Sequence, residues 1–112
     1  MKKHITVDIA RSFDDLIKAI AIRFAVYIGE SGWSLSEEWD GNDFAGTHMI
    51  AYVDGQPAGS IRIRYFGDFA KCERLAVLPQ YRGMPRPLLK FAQQALLVEQ
   101  ATRPRPAVQG RW

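Results

Sequence analysis

The sequence predicts a single α/β domain in which a sheet is flanked by helices. Three observations carry that expectation. The chain opens on an alternating apolar stretch followed by a run of helical period, an Asp-Gly pair separates two strand-like stretches, and a β-rich segment closed by a proline leads into a second run of helical period. At 112 residues the chain suits one compact domain with a modest core.

Each element follows from local pattern. In "HITVDIA" Ile5, Val7 and Ile9 alternate with His4, Thr6 and Asp8, the period of a half-buried strand. Ser12 reads as a helix N-cap, with Asp15 in place of the usual Glu of a capping box. Phe13, Leu16, Ile17, Ile20, Phe24 and Tyr27 or Ile28 then recur at helical spacing, so a helix is expected over 12–28, with Gly29 as its stop. "ESGWSLSEEWDGNDFAGTH" is a polar, glycine-rich loop anchored by Trp33, Leu35, Trp39 and Phe44, with one short helix over 34–38. "HMIAYV", Asp54-Gly55 and "AGSIRIRYF" spell a hairpin, because Asp-Gly accepts the positive φ angles of a tight reversal. Ile61, Ile63 and Tyr65 face one side of it, Arg62 and Arg64 the other. The chain turns again at Gly67-Asp68 and enters "KCERLAVL", a strand that stops at Pro79. Leu88, Leu89, Ala92, Ala95, Leu96 and Glu99 describe a second amphipathic helix with Pro87 at its first position. The expected domain covers 1–101; the tail 102–112, with two Arg-Pro pairs and no period, is expected to be extended or flexible.

Composition narrows the function classes. Hydrophobic residues make up 47% and charged residues 24%, ordinary for a globular protein and unlike a disordered chain. No run approaches the roughly 18 apolar residues of a membrane span. The Met-Lys-Lys-His start leads into a strand rather than a signal core, so a cytoplasmic protein with no membrane partner is expected. The single Cys72 forms no internal disulfide, and with His4 and His48 far apart there is no metal-spaced cluster. The net charge of +3 hides an asymmetry: residues 1–56 hold five Lys/Arg against nine Asp/Glu, residues 57–112 ten against three. The basic half suits a phosphorylated cofactor or an acidic carrier protein; no recognition motif accompanies it, and no nucleic-acid partner is expected.

The chemistry concentrates at "ERLAVLPQYRG". A strand runs there into a tight turn, and backbone N–H groups of such a turn, aligned with a helix dipole, solvate a diphosphate. This stretch resembles the strand and Gln/Arg-x-x-Gly-x-Gly/Ala turn of the GNAT N-acetyltransferases. "RFAVYIGESGW", "EEWDGNDFAGTH" and "DGQPAGSIRIR" are similar to that family's first helix, acceptor-side loop and central hairpin, so that the likeness spans roughly residues 3–100. The resemblance implies an acyl-CoA N-acyltransferase-like fold, with a mixed, mainly antiparallel central sheet. It also implies acetyl-CoA as acyl donor and an amine of a small molecule or peptide as acceptor. Gln80, Tyr81, Arg82, Gly83, Met84 and Arg86 would hold the diphosphate of coenzyme A, while Leu75, Ala76 and Val77 would offer backbone groups to the pantetheine.

The chain departs from the family pattern in two places. Pro85 stands where the second small residue belongs and Pro87 follows, so two amide donors are absent. Each lost charge-assisted bond costs on the order of 1.5 to 3 kcal/mol, about ten- to a hundredfold in affinity, part of which Arg82 and Arg86 recover as bidentate ligands. The family also continues with further strands that complete the sheet. Their absence leaves an edge that favours association, hence an expected homodimer.

Glu73 is the resemblance's general base, or else a cross-strand ion-pair partner of Arg62, Arg64 or Arg74. Trp33, Glu38, Asp40 and Asp43 are acceptor-binding candidates, the three acids as a site for a cationic amine and the aromatics as pocket walls or as loop anchors. With Arg23 and Arg62 the same residues are similar to those of the N-acyl-homoserine lactone and N-acyl amino acid synthases, which share the fold and draw on an acyl carrier protein. A non-catalytic acyl-CoA-binding module is the remaining alternative. His48 reads as structural and Cys72 as a small buried residue.

Overall fold

The computed structural model describes residues 4–82 and 108–110. Five strands form one sheet in the order β1 (Ile5–Ile9), β2 (Thr47–Val53), β3 (Gln56–Phe66), β4 (Phe69–Val77) and β5 (Val108–Gly110). The first four pair antiparallel, and β5 runs parallel to β4 from Ala70↔Val108 to Cys72↔Gly110. A mixed, mainly antiparallel sheet was expected. β5, however, lies in the stretch read as a tail: three residues are too few to display a period, yet extended backbone beside an open edge is enough to pair. The second expected helix, 88–99, and the residues 83–87 before it lie outside the described residues.

α1 (Phe13–Arg23) starts as the sequence prescribes, with the Ser12 hydroxyl accepting the Asp15 N–H at 3.1 Å. Its end differs from expectation. The helical run does not stop at Gly29 but widens into a π-helical segment, Phe24–Glu30, in which Ser31 N–H donates to the Val26 carbonyl; the left-handed residue that follows is Gly32, at φ +77°. Helical spacing of apolar residues registers the face a helix buries but not a one-residue widening of its turn. α2 (Leu35–Glu38) is the short loop helix, closed by a capping box in which Ser34 and Glu37 satisfy each other's backbone N–H groups.

Strand alternation divides the core. Met49, Ala51, Ile61, Ile63, Ala70 and Cys72 fill one face of the sheet. Ile50 and Ala76 receive Ala19 and Ile22 of α1 on the other, and the Ser60 hydroxyl donates to the Ala19 carbonyl at 3.2 Å. Burying a side chain such as Ile22 is worth about 1.5–3 kcal/mol, so a few such contacts suffice to dock a three-turn helix. The β2–β3 turn is formed by Asp54 and Gly55, both at positive φ, as expected.

Candidate functional site

Polar residues of β2, β3 and β4 continue the α1 face beyond the helix's last turn, and here the sequence places arginines where an apolar core would otherwise continue. Arg23 and Arg62 are fully buried, as is Glu38; Asp43, His48 and Glu73 are buried nearly as well. Buried charge is tolerable only when it is paired and hydrogen-bonded. Arg62 meets that condition by touching three carboxylates: Nη2 lies 2.7 Å from both Asp40 and Glu73, and Nη1 3.1 Å from Asp43. Arg23 joins Glu38 to Asp43. Arg74 joins Glu38 at 3.1 Å to Asp40 at 3.2 Å, and its guanidinium lies over the rings of Trp33 and Tyr27. Glu73 also binds Arg64 and, at 3.2 Å, Lys71.

The network shifts the titration of several of its members. Glu73 is pulled down to about 2: burial opposes its charge, but hydrogen bonds from Arg64, Arg62 and Lys71 outweigh it. Asp40 is held well below the usual carboxylate range, chiefly by Arg62. Asp43 is lowered as well, its burial outweighed by Arg23 and Arg62. His48 is lowered by burial, which favours the neutral ring. Its Nε2 lies 2.8 Å from the Asp43 carbonyl, a group that only accepts, so Nε2 carries the proton; buried Nδ1 has no hydrogen-bond partner among the described residues.

Beside this network β4 is irregular. Arg62 pairs with Glu73 and Ser60 with Ala76, so Arg74 and Leu75 together face Ile61 alone, a β-bulge. Arg74 adopts φ +56°, the left-handed region that costs an L-residue about 1–2 kcal/mol. The Tyr27 hydroxyl donates to the Leu75 carbonyl at 2.8 Å. Farther on, Leu78 N–H donates to the Ala58 carbonyl, so the Val77 carbonyl, at the opposite end of that trans peptide unit, points away from β3. Arg82 Nη2 donates to it at 2.7 Å, and Nη1 to Glu30 at 2.8 Å. The strand then passes into a 3₁₀ turn, Pro79–Tyr81. β5 pairs only with Ala70–Cys72, so among the described residues no strand covers the outer edge of β4 from Glu73 onward.

The candidate residues therefore separate into groups. Leu75, Ala76 and Val77 lie along the bulged edge, with Gln80, Tyr81 and Arg82 in the turn that follows. Gly83, Met84, Arg86 and the prolines at 85 and 87 lie outside the described residues. Of the amine-binding trio, Glu38 and Asp43 are buried against arginines, and in this arrangement neither presents a carboxylate to an acceptor; only Asp40 keeps an exposed edge, 28% of its side chain. Trp33 packs on Tyr27 with ring centroids 4.9 Å apart. Trp39 and the largely exposed Phe44 line a separate apolar groove of about 900 Å³ against Phe13, Ile17 and Ile20 of α1. Glu73 takes the ion-pair role, with Arg62 and Arg64 as foreseen and Lys71 in place of Arg74. Tyr27 had been only one position in the helical stripe, and a hydrogen bond across 48 residues leaves no local signal.

Among the described residues no helix is long and apolar enough to cross a membrane. Residues 14–84 match the family model described as Acetyltransferase (GNAT) family. A Bacillus subtilis (strain 168) protein provisionally named an acetyltransferase is 38% identical over 74 residues, 63% of this chain and 50% of that protein, so the chain spans about half the length of this relative. Escherichia coli ElaA superposes with a TM-score of 0.78 at 17% identity, over 96% of this chain and 77% of that one. A GNAT family acetyltransferase from Brucella melitensis, solved in complex with acetyl-CoA, gives 0.70 at 16% identity, over 97% and 77%. The chain's sheet and helices match the fold of a solved acyl-CoA N-acyltransferase from Pseudomonas aeruginosa, with a TM-score of 0.72 at 17% identity over 96% of this chain and 76% of that one. With a family model matched over more than half of its residues, the chain belongs to the GNAT acetyltransferase family.

Proposed function

We propose that this chain binds acetyl-CoA along the open edge of β4 and catalyses acetyl transfer to an amine of a small molecule or peptide. The observation that carries the reading is the bulge at Arg74 and Leu75. It interrupts the ladder to β3 where, among the described residues, no strand covers the outer edge of β4, just before the turn at Pro79–Tyr81. Such an edge suits a ligand with amide groups spaced along an extended chain, which adds to a sheet as a strand does. When bound, acetyl-CoA supplies the activated acetyl thioester.

In this reading Leu75, Ala76 and Val77 orient the pantetheine, and the backbone near Leu75 donates to the thioester oxygen. Gln80, Tyr81, Arg82, Gly83, Met84 and Arg86 take the diphosphate, with Arg82 exchanging its exposed contact to Glu30 for phosphate. Trp33 and Asp40 flank the acceptor from the loop. The amine enters neutral, its nitrogen bonds to the thioester carbonyl carbon, and the C–S bond breaks to release CoA as a thiolate that solvent protonates; Glu73, kept charged by Arg62, Arg64 and Lys71, is the candidate to take the amine's proton, directly or through water. A cytoplasmic homodimer whose acyltransferase domain covers 1–101 together with β5 completes the proposal.

A second reading is favoured by the convergence of Arg23, Glu38, Asp40, Asp43 and Arg62 in one network, with Trp33 beside it: an N-acyl amino acid or acyl-homoserine lactone type synthase that draws on an acyl carrier protein. Calorimetric titration with acetyl-CoA, CoA and an acyl carrier protein decides. Micromolar acetyl-CoA binding, weakened about tenfold or more in Arg82→Ala, supports the transferase. Silence to millimolar acetyl-CoA overturns it. Carrier binding then favours the synthase, and silence to both a non-catalytic module.

A further inference from the structure

We propose that Tyr27 is a positioning residue for acetyl transfer: its hydroxyl, donated to the Leu75 carbonyl, sets the backbone of the β4 bulge against which the thioester is oriented. The inference rests on the reading of the β4 edge as the cofactor strand. It is motivated by where strand pairing fails. Arg74 and Leu75 share a single partner on β3, so the ladder that fixes every neighbouring residue is interrupted at the position whose orientation matters most. An unpaired bulge is free to rock unless something else holds it.

Tyr27 is placed to hold it. The π-helical segment that carries it, Phe24–Glu30, adds a residue to the turn and so re-aims the side chains beyond it. The phenol reaches Leu75 with 2.8 Å between oxygens, and pinning the Leu75 carbonyl fixes the plane of the peptide unit that joins Leu75 to Ala76 at the exit of the bulge. The ring cannot swing away easily: Trp33 packs against it, and the Arg74 guanidinium lies 5.9 Å from its centroid and 4.9 Å from that of Trp33. Burial raises the phenol's pKa, so it remains a donor through the neutral range. One hydroxyl thereby fastens the bulge to the helix and, through Arg74, to Glu38 and Asp40 of the loop.

Tyr27→Phe deletes the hydroxyl and keeps the ring, so it separates positioning from packing. Acetyl-CoA labelled with ¹³C at the thioester carbonyl is bound to the wild-type chain and to the variant, affinity is measured by calorimetry, and the carbonyl stretch is read by isotope-edited infrared spectroscopy. The expected result is a variant that binds within about threefold of wild type yet loses most of the downward shift of the carbonyl band that binding produces. A variant that keeps the full shift overturns the proposal and leaves the acetyl-CoA reading standing. A wild-type chain that binds no acetyl-CoA sinks both. Should Tyr27→Phe fold poorly, 3-fluorotyrosine at position 27 keeps the ring and strengthens the donor; a band that moves further down is expected, and an unmoved band refutes the assignment.

Discussion

At the scale of single residues, Arg62 bears the most. Its guanidinium bridges Asp40, Asp43 and Glu73 from a fully buried position, so Arg62→Met takes a buried cation from three carboxylates at once and leaves them to Arg74, to Arg23, and to Arg64 with Lys71. A destabilisation of about 3 kcal/mol or more is expected, read as a lowered denaturation midpoint; a loss below about 1 kcal/mol would mean the network is too well hydrated to matter. Acid should undo the same cluster in two steps. Unfolded His48 takes up a proton near its ordinary 6.5, whereas the folded ring resists until a lower pH, so stability falls as the pH drops below about 6.5. The carboxylates are the opposite ions with the same slope. Their contribution is complete above their ordinary values of 3.8 and 4.5 and is lost as the pH falls through the folded values, for Glu73 about 2. Urea midpoints measured from pH 8 to pH 3 on wild type and His48→Asn check this, the variant being expected to lose the upper step alone. The sequence disclosed that acids and arginines alternate here, and even that Glu73 has Arg62 and Arg64 across the ladder. It did not disclose that Glu38 and Asp43 turn inward, because a polar loop looks the same whether its charges meet water or one another.

At the scale of elements, the loop that carries Glu38, Asp40 and Asp43 closes onto β3 through Gly46. A Cβ there would stand 3.2 Å from Arg62 Cγ and 3.3 Å from the Asn42 and Ile63 carbonyls, so this glycine is required by close approach. Gly46→Ala is expected to cost about 1–2 kcal/mol and to raise hydrogen exchange across 33–46 more than in the sheet, a pattern that exchange mass spectrometry resolves. The start of α1 was legible from Ser12, because a cap is a local device, and a short helix was expected over 34–38, where the structure adds the Ser34 cap. The π-helical segment and the bulge at Arg74 were not. Each is an insertion of one residue into a regular pattern, stabilised by partners distant in sequence, and Arg74 carries a positive φ without the glycine that would have announced it.

At the scale of the whole molecule, much of the sheet was readable because hairpin turns and alternation are short-range signals, and the antiparallel run β2 to β4 follows from them strand by strand, whereas β1 meets β2 only across the helices and loop of 10–46. β5 was not, since a parallel neighbour is reached only through a long connection and its three residues take their register from β4. That arrangement encloses Cys72, the chain's single cysteine, between Ile63 on β3 and Gly110 on β5, with no exposed surface and a thiol pushed up to about 12. Neither form of the sulfur is reactive in the closed sheet: the thiolate is scarce and the approach is blocked. Cys72 is thus a natural reporter of opening. Thiol-specific reagents added to the native protein should label it slowly at first, at a rate set by how often β4 parts from its neighbours, and each substitution that loosens the sheet should quicken the mass gain without any probe having been engineered.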